Sequence, residues 1–203
     1  MRLVLASSSP RRASLLKQIG LSFITDPAAI NEEISGWQKP SELALELAVM
    51  KGRAVAGRNP DSLVIAADTV VWLKNQLLGK PSDATQAADM LNRLSGNTHS
   101  VFTGVYVAKT DGTGVPESDF SFFERTKVTF STLSDGEIDA YISVAKPYDK
   151  AGSYGIQDDL GSLFVSKIEG DYYNVVGFPL NSFYQNLRKW MPAVHHLLFP
   201  AGS

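Results

Sequence analysis

The sequence contains no cysteine. Disulfide frameworks, thiolate nucleophiles and Cys-ligated zinc or iron–sulfur centres are therefore excluded together. It also lacks any apolar run near the ~18 residues that cross a bilayer, so no membrane partner is expected. The strand-like Leu3–Ala6 stretch gives way to serines and arginines too soon to make the apolar region of a signal peptide, and the expected location is the cytoplasm. Positive charge is not in excess. The 19 Lys and Arg are balanced by 21 Asp and Glu, and there is no basic stripe of the kind that tracks a nucleic-acid backbone. No nucleic-acid partner is expected, and any bound anion is small. Internal repeats, low-complexity segments and the GxxxxGK[ST] phosphate loop are absent as well.

What remains is the composition of a folded globular protein, with 44% hydrophobic and 20% charged residues. At 203 residues the chain can build a substantial core as one domain, 1–203, or as two closely packed lobes. Leu3–Ala6 reads as a buried strand, Ser7–Pro10 as a turn, and Arg11–Ile19 as a helix stopped by Gly20. Helical spacing runs from Pro40–Ser41 to Ala56, with Ser41 as N-cap and Lys51 on the helix. The near-continuous apolar run Leu63–Val71 predicts a strand covered on both faces. A hairpin turn at Lys74–Gln76 and a helix over Asp83–Leu94 follow, with Lys80 at the junction between them. Two β-rich runs, Ser100–Lys109 and Phe120–Ser131, precede a helix opened by the Ser134/Glu137 capping box. A long loop spans 146–161. Then come a strand over Ser162–Ile168, a turn at Glu169–Asp171, a helix over Leu180–Trp190, and a weakly specified tail beyond Pro192. Alternation of strands and helices predicts an α/β fold: a mixed, partly antiparallel twisted sheet flanked by helices, with a cleft between two lobes.

Several residues stand out chemically. Ser7-Ser8-Ser9-Pro10-Arg11-Arg12 brings hydroxyls, backbone N–H groups and two guanidiniums to a helix start, an arrangement suited to a polyphosphate; a plain serine cap with solvated arginines is the bland alternative. Asp68 interrupts an apolar strand, where a carboxylate is costly unless paired or metal-bound. It has the chemistry of a metal ligand or a general base, and Lys80 is placed to offset charge beside it. Glu32–Glu33 can ligate Mg²⁺ or Mn²⁺ or can sit in a solvated loop. The 146–157 stretch mixes both charge signs with small residues and the Gln157 amide, which can pair with a base edge. His99, His195 and His196 lack any Ser/His/Asp spacing and read as structural or exposed.

Taken in order, ASSSPRR at 6–12, AADTVV at 66–71, Gly79-Lys80-Pro81 and DKAGSYGIQ at 149–157 resemble the Maf family, as do Leu94-Ser95-Gly96, Thr103-Gly104-Val105 and the stretch from Gly170 to Pro179. The resemblance implies a nucleoside triphosphate pyrophosphatase that uses a divalent metal, Mg²⁺ or Mn²⁺, to split the bond between the α and β phosphates. It implies Asp68 as the proton acceptor, Arg12, Thr69 and Gln157 in substrate choice, and Ser7, Arg11, Lys51 and Lys80 around the phosphates. Asp68 and Glu33 are the expected metal ligands. Tyr154-Gly155-Ile156-Gln157 resembles the members acting on dTTP and UTP rather than 7-methyl-GTP, although Asp158-Asp159 stands where glycine is expected. A homodimer is compatible with this reading. A purine-type enzyme clearing inosine or xanthosine triphosphate, or a non-hydrolytic nucleotide sensor in cell division, are the competing readings.

Overall fold

The apolar run around Asp68 becomes the axis of the molecule. In the computed structural model of the chain, which describes residues 1–30, 39–158 and 160–200, it forms β3 (Ser62–Leu73). β3 pairs in parallel with β1 (Arg2–Leu5), which in turn pairs in parallel with the short β2 (Ile24–Thr25). On its other side β3 runs antiparallel to β5 (Thr98–Thr110), followed by β6 (Pro116–Phe130) and β7 (Val165–Glu169). The far end of β3 turns through Lys74 and Asn75, both at positive φ, into the antiparallel β4 (Gln76–Leu78). Among the described residues the result is one seven-stranded mixed sheet.

Strand periodicity then sorts β3 between two faces. Leu63, Ile65, Ala67, Val71 and Leu73 join the larger core. That core is closed by α1 (Pro10–Gln18), α3 (Ala84–Leu94), α4 (Asp135–Ala145), α6 (Leu180–Trp190) and α7 (Pro192–Leu198). Val64, Ala66 and Val70 face the opposite way, against α2 (Pro40–Ala56). Asp68 falls on the α2 face and Thr69 on the face of the larger core.

The seating of α2 depends on a residue with no side chain. Gly104 of β5 lies directly across from Asp68 in the ladder, and a Cβ there would come 2.2 Å from the Ala44 carbonyl oxygen. Because Gly104 has none, α2 settles onto the sheet, and two turns further along the same helix Lys51 comes within reach of Asp68.

Several local expectations shift. α2 begins two residues earlier than a Ser41 cap would place it, with Pro40 at its first turn and Lys39 at the cap, because proline's fixed φ already suits the first helical position. A single 3-10 turn at Gly161–Phe164 precedes β7, so that strand starts at Val165. A short helix, α5 (Tyr172–Val176), occupies the segment after the Glu169–Asp171 turn. The tail continues as α7 from Pro192. Among the described residues no helix is long and apolar enough to cross a membrane.

Candidate active site

β1 covers the edge of β3 only as far as Ile65, and β4 joins the same edge only from Val71. Between these partners the strand is uncovered, and Asp68 and Thr69 form the floor of a cleft of about 270 Å³. Ser7, Arg11, Arg12, Lys51, Asp68, Thr69, Lys80 and Gln157 all line it. Glu33 lies outside the described residues.

One wall is the loop from β1 into α1. Ser9 caps the helix by accepting from the Arg12 backbone N–H, and Pro10 occupies the first turn. The exposed donors of that turn and the helix dipole both favour an anion. Ser7 Oγ accepts from the Ser9 N–H at 3.1 Å and from the Arg12 guanidinium at 2.7 Å. Arg12 is itself 8% exposed, and its Nε donates to the Gly177 carbonyl at 3.1 Å. Burial pulls its pKa down to about 10, an effect opposed by the nearby Asp68 charge, and at neutral pH it remains a cation.

The floor and the α2 wall meet in the Lys51–Asp68 ion pair, both side chains about 15% exposed. The pair answers the cost of a carboxylate in an apolar strand while leaving Asp68 facing the cleft. Beside it, Thr69 Oγ1 lies 2.9 Å from Thr103 Oγ1. Thr103 also donates to the Asn174 carbonyl, and the Asn174 amide donates to the Val101 carbonyl and to Thr126 Oγ1. This buried chain ties the cleft floor to α5, whose following residue Gly177 receives Arg12. At φ +127° that position favours glycine.

The third wall is the 146–161 loop, pinned to the sheet by the Gly152 N–H donating to the Gly79 carbonyl. Arg11 reaches across to Asp149 at 2.5 Å, and Lys150 sits between Asp149 (2.9 Å) and Asp158 (3.4 Å). Desolvation of the Asp149 carboxyl is outweighed by hydrogen bonds from Arg11 and Lys150, which hold it down at about 2. Sequence reading singled out this loop but not the individual ion pairs, because which acid meets which base depends on where the loop folds. His99 stands behind the cleft, 2% exposed, with Nε2 2.7 Å from the Tyr154 hydroxyl. Burial lowers its pKa to about 4.

Hard oxygen donors suit Mg²⁺ or Mn²⁺. Among the described residues no group of three or more His, Asp or Glu side chains is placed to hold a metal. Asp68, on the cleft floor, offers oxygen donors of the kind such an ion takes.

Fold and site together define a class: an α/β protein with a mixed sheet whose cation-rich cleft surrounds a single acid on its floor. The chain belongs to the Maf family of Maf-like proteins, which it matches over residues 2–190. It is 45% identical over 195 residues to a dTTP/UTP pyrophosphatase of Bacillus cereus, an alignment covering 96% of this chain and 98% of that one. A dTTP/UTP pyrophosphatase of Bacillus anthracis is 44% identical with the same coverage. Among solved structures, a HAM1 protein from Coxiella burnetii superposes with TM-score 0.47 at 13% identity, over 66% of this chain and 74% of that one. A nucleoside-triphosphatase described as a dITP/XTP pyrophosphatase, from Mycobacterium abscessus, gives TM-score 0.41 at 11% identity, over 98% of this chain and 100% of that one.

Proposed function

We propose that this protein hydrolyses dTTP and UTP between the α and β phosphates, giving the nucleoside monophosphate and pyrophosphate. The observation that carries the reading is the convergence of Asp68 with Arg11, Arg12, Lys51, Lys80 and the start of α1 in one cleft, with Gln157 at its rim. The near-full-length likeness to relatives named for that activity supports the choice of substrate.

The triphosphate lies with its charge against the α1 N-terminus, the two guanidiniums and the two ammonium groups. Water approaches the α-phosphorus from the side of Asp68, which accepts its proton as the new P–O bond forms. The bond to the bridging oxygen breaks, and pyrophosphate leaves with its developing charge held by the cations. Asp68 would hold a Mg²⁺ or Mn²⁺ ion, which would supply further charge neutralisation and polarisation. Thr69 on the floor and Gln157 at the rim contact the nucleoside, and Arg12 fixes the register between the two ends.

Pyrophosphate release from a panel of nucleoside triphosphates, with Mg²⁺, Mn²⁺ or a chelator, tests the reading. Selective dTTP and UTP turnover that falls at least about 100-fold in Asp68→Asn, with the fold intact by circular dichroism, is the expected result. Wild-type-like turnover in that variant would remove Asp68 from the role of base. Tight nucleotide binding without any release would replace hydrolysis with sensing.

A further inference from the structure

Gln157 is exposed at the rim of the cleft and carries an amide whose two ends differ only in whether they donate or accept. Here one neighbour decides. Gln157 Nε2 lies 3.1 Å from Asp158 Oδ1, and an ionised carboxylate only accepts, so the nitrogen end must face it.

The carboxylate is itself held in place. Asp158 Oδ2 accepts from the hydroxyl of Tyr141, which is fully buried, and lies 3.4 Å from Lys150 Nζ. The same hydroxyl accepts from the Gly155 N–H at 3.1 Å. The Asp158 carboxylate folds back over Gly155, where any Cβ would come 2.4 Å from Oδ2. Tyr141, Lys150 and the missing side chain at 155 thus fix where Asp158 points.

We propose that Asp158 is a specificity-determining positioning residue: by holding the nitrogen end of the Gln157 amide, it leaves Oε1 as the end that meets the base. The inference rests on the reading of this cleft as a pyrimidine nucleotide site. An acceptor at that point selects a base that brings a donor. Uracil and thymine carry N3–H between two carbonyls, and the second Gln157 N–H is left for one of those carbonyls. Cytosine presents a bare N3 acceptor instead, so in the register that uracil adopts it opposes Oε1, and it must shift along the amide to bring its N4–H there. An unmatched polar pair of this kind is worth on the order of ten- to hundredfold in discrimination.

Asp158→Asn tests this, because an asparagine amide can offer either end to Gln157 and no longer dictates its orientation. kcat/KM for UTP and CTP, and Kd for their non-hydrolysable α,β-imido analogues, would be measured in wild type, Asp158→Asn and Asp158→Glu. The expected result is a UTP-to-CTP preference that falls about tenfold in Asp158→Asn, by both measures, and is largely kept in Asp158→Glu. Loss of one negative charge near a polyanion, or a loosened loop, moves both nucleotides together and cancels in the ratio. An unchanged preference in Asp158→Asn would overturn the assignment. Absence of pyrophosphate release from every nucleotide in wild type would strike the proposed reaction instead, and the binding preference would still decide the role of Asp158.

Discussion

At the scale of single residues, the chemistry rests on charges that are compensated before substrate arrives. Arg12 shows why residue type matters more than charge. Its Nε serves Gly177 and its terminal nitrogen serves Ser7, a fork that a lysine ammonium cannot reproduce. Arg12→Lys should raise KM for the nucleotide by on the order of tenfold and lower stability by about 1–3 kcal/mol, from the polar partners left unmatched; steady-state kinetics and urea melts read the two effects. His99 makes a different prediction. Its folded pKa of about 4 lies below the ~6.5 of an unfolded histidine, so between those values the unfolded chain takes up a proton that the native core refuses. Stability contributed by a neutral His99 is complete above pH ~6.5 and falls by up to about 3 kcal/mol as the pH drops toward 4. Urea midpoints at neutral and acidic pH should show that loss, and His99→Gln should flatten it. Asp68 was legible in the sequence because a lone acid in an apolar strand contradicts its surroundings. Asn174 and Thr103 stood out only as parts of motifs, since a buried hydrogen-bond chain across distant segments leaves no local pattern.

At the scale of elements, the site depends on how closely α2 approaches the sheet. Gly104→Ala places a methyl against the Ala44 carbonyl, and the helix must lift or slide. The expected cost is about 2 kcal/mol or more, with a drop in kcat/KM because Lys51 travels with α2; thermal melts and kinetics on the same sample would check both. A stable variant with unimpaired turnover would show that the helix has slack. The long elements were readable because their periodicity extends over several turns or pleats. α5 was not, being a single turn of five residues, two of them β-branched, that is stabilised by the Asp171 cap and by Thr126 rather than by propensity. β6 starts at Pro116, earlier than the apolar run, because the first part of the strand is mostly exposed and pairs through its backbone with β5. The Pro40 start of α2 and the 3-10 turn before β7 are boundary effects of the same kind, set by which backbone groups find partners.

At the scale of the whole molecule, a chain of net charge −2 concentrates Arg11, Arg12, Lys51, Lys80 and Lys150 around one opening. A local positive field within a weakly negative protein should steer a polyanion and be sensitive to screening. Raising ionic strength from ~0.01 M to ~0.15 M shortens the Debye length from ~30 Å to ~8 Å, and kcat/KM should fall severalfold while kcat changes little. An unchanged kcat/KM would mean that the ion pairs to Asp68 and Asp149 already cancel that field at a distance.

The interruption along β3 has a meaning for how such a protein can change over generations. The acid and the cation opposite it are embedded in the strand and helix that hold the fold together, so a lineage that alters them risks losing the protein altogether. Gln157 and Asp158 hang on a loop attached at a few points along the rim. Inheritance of the reaction and inheritance of its taste for one base are thereby carried by separate stretches of chain, and the second can drift while the first stays put.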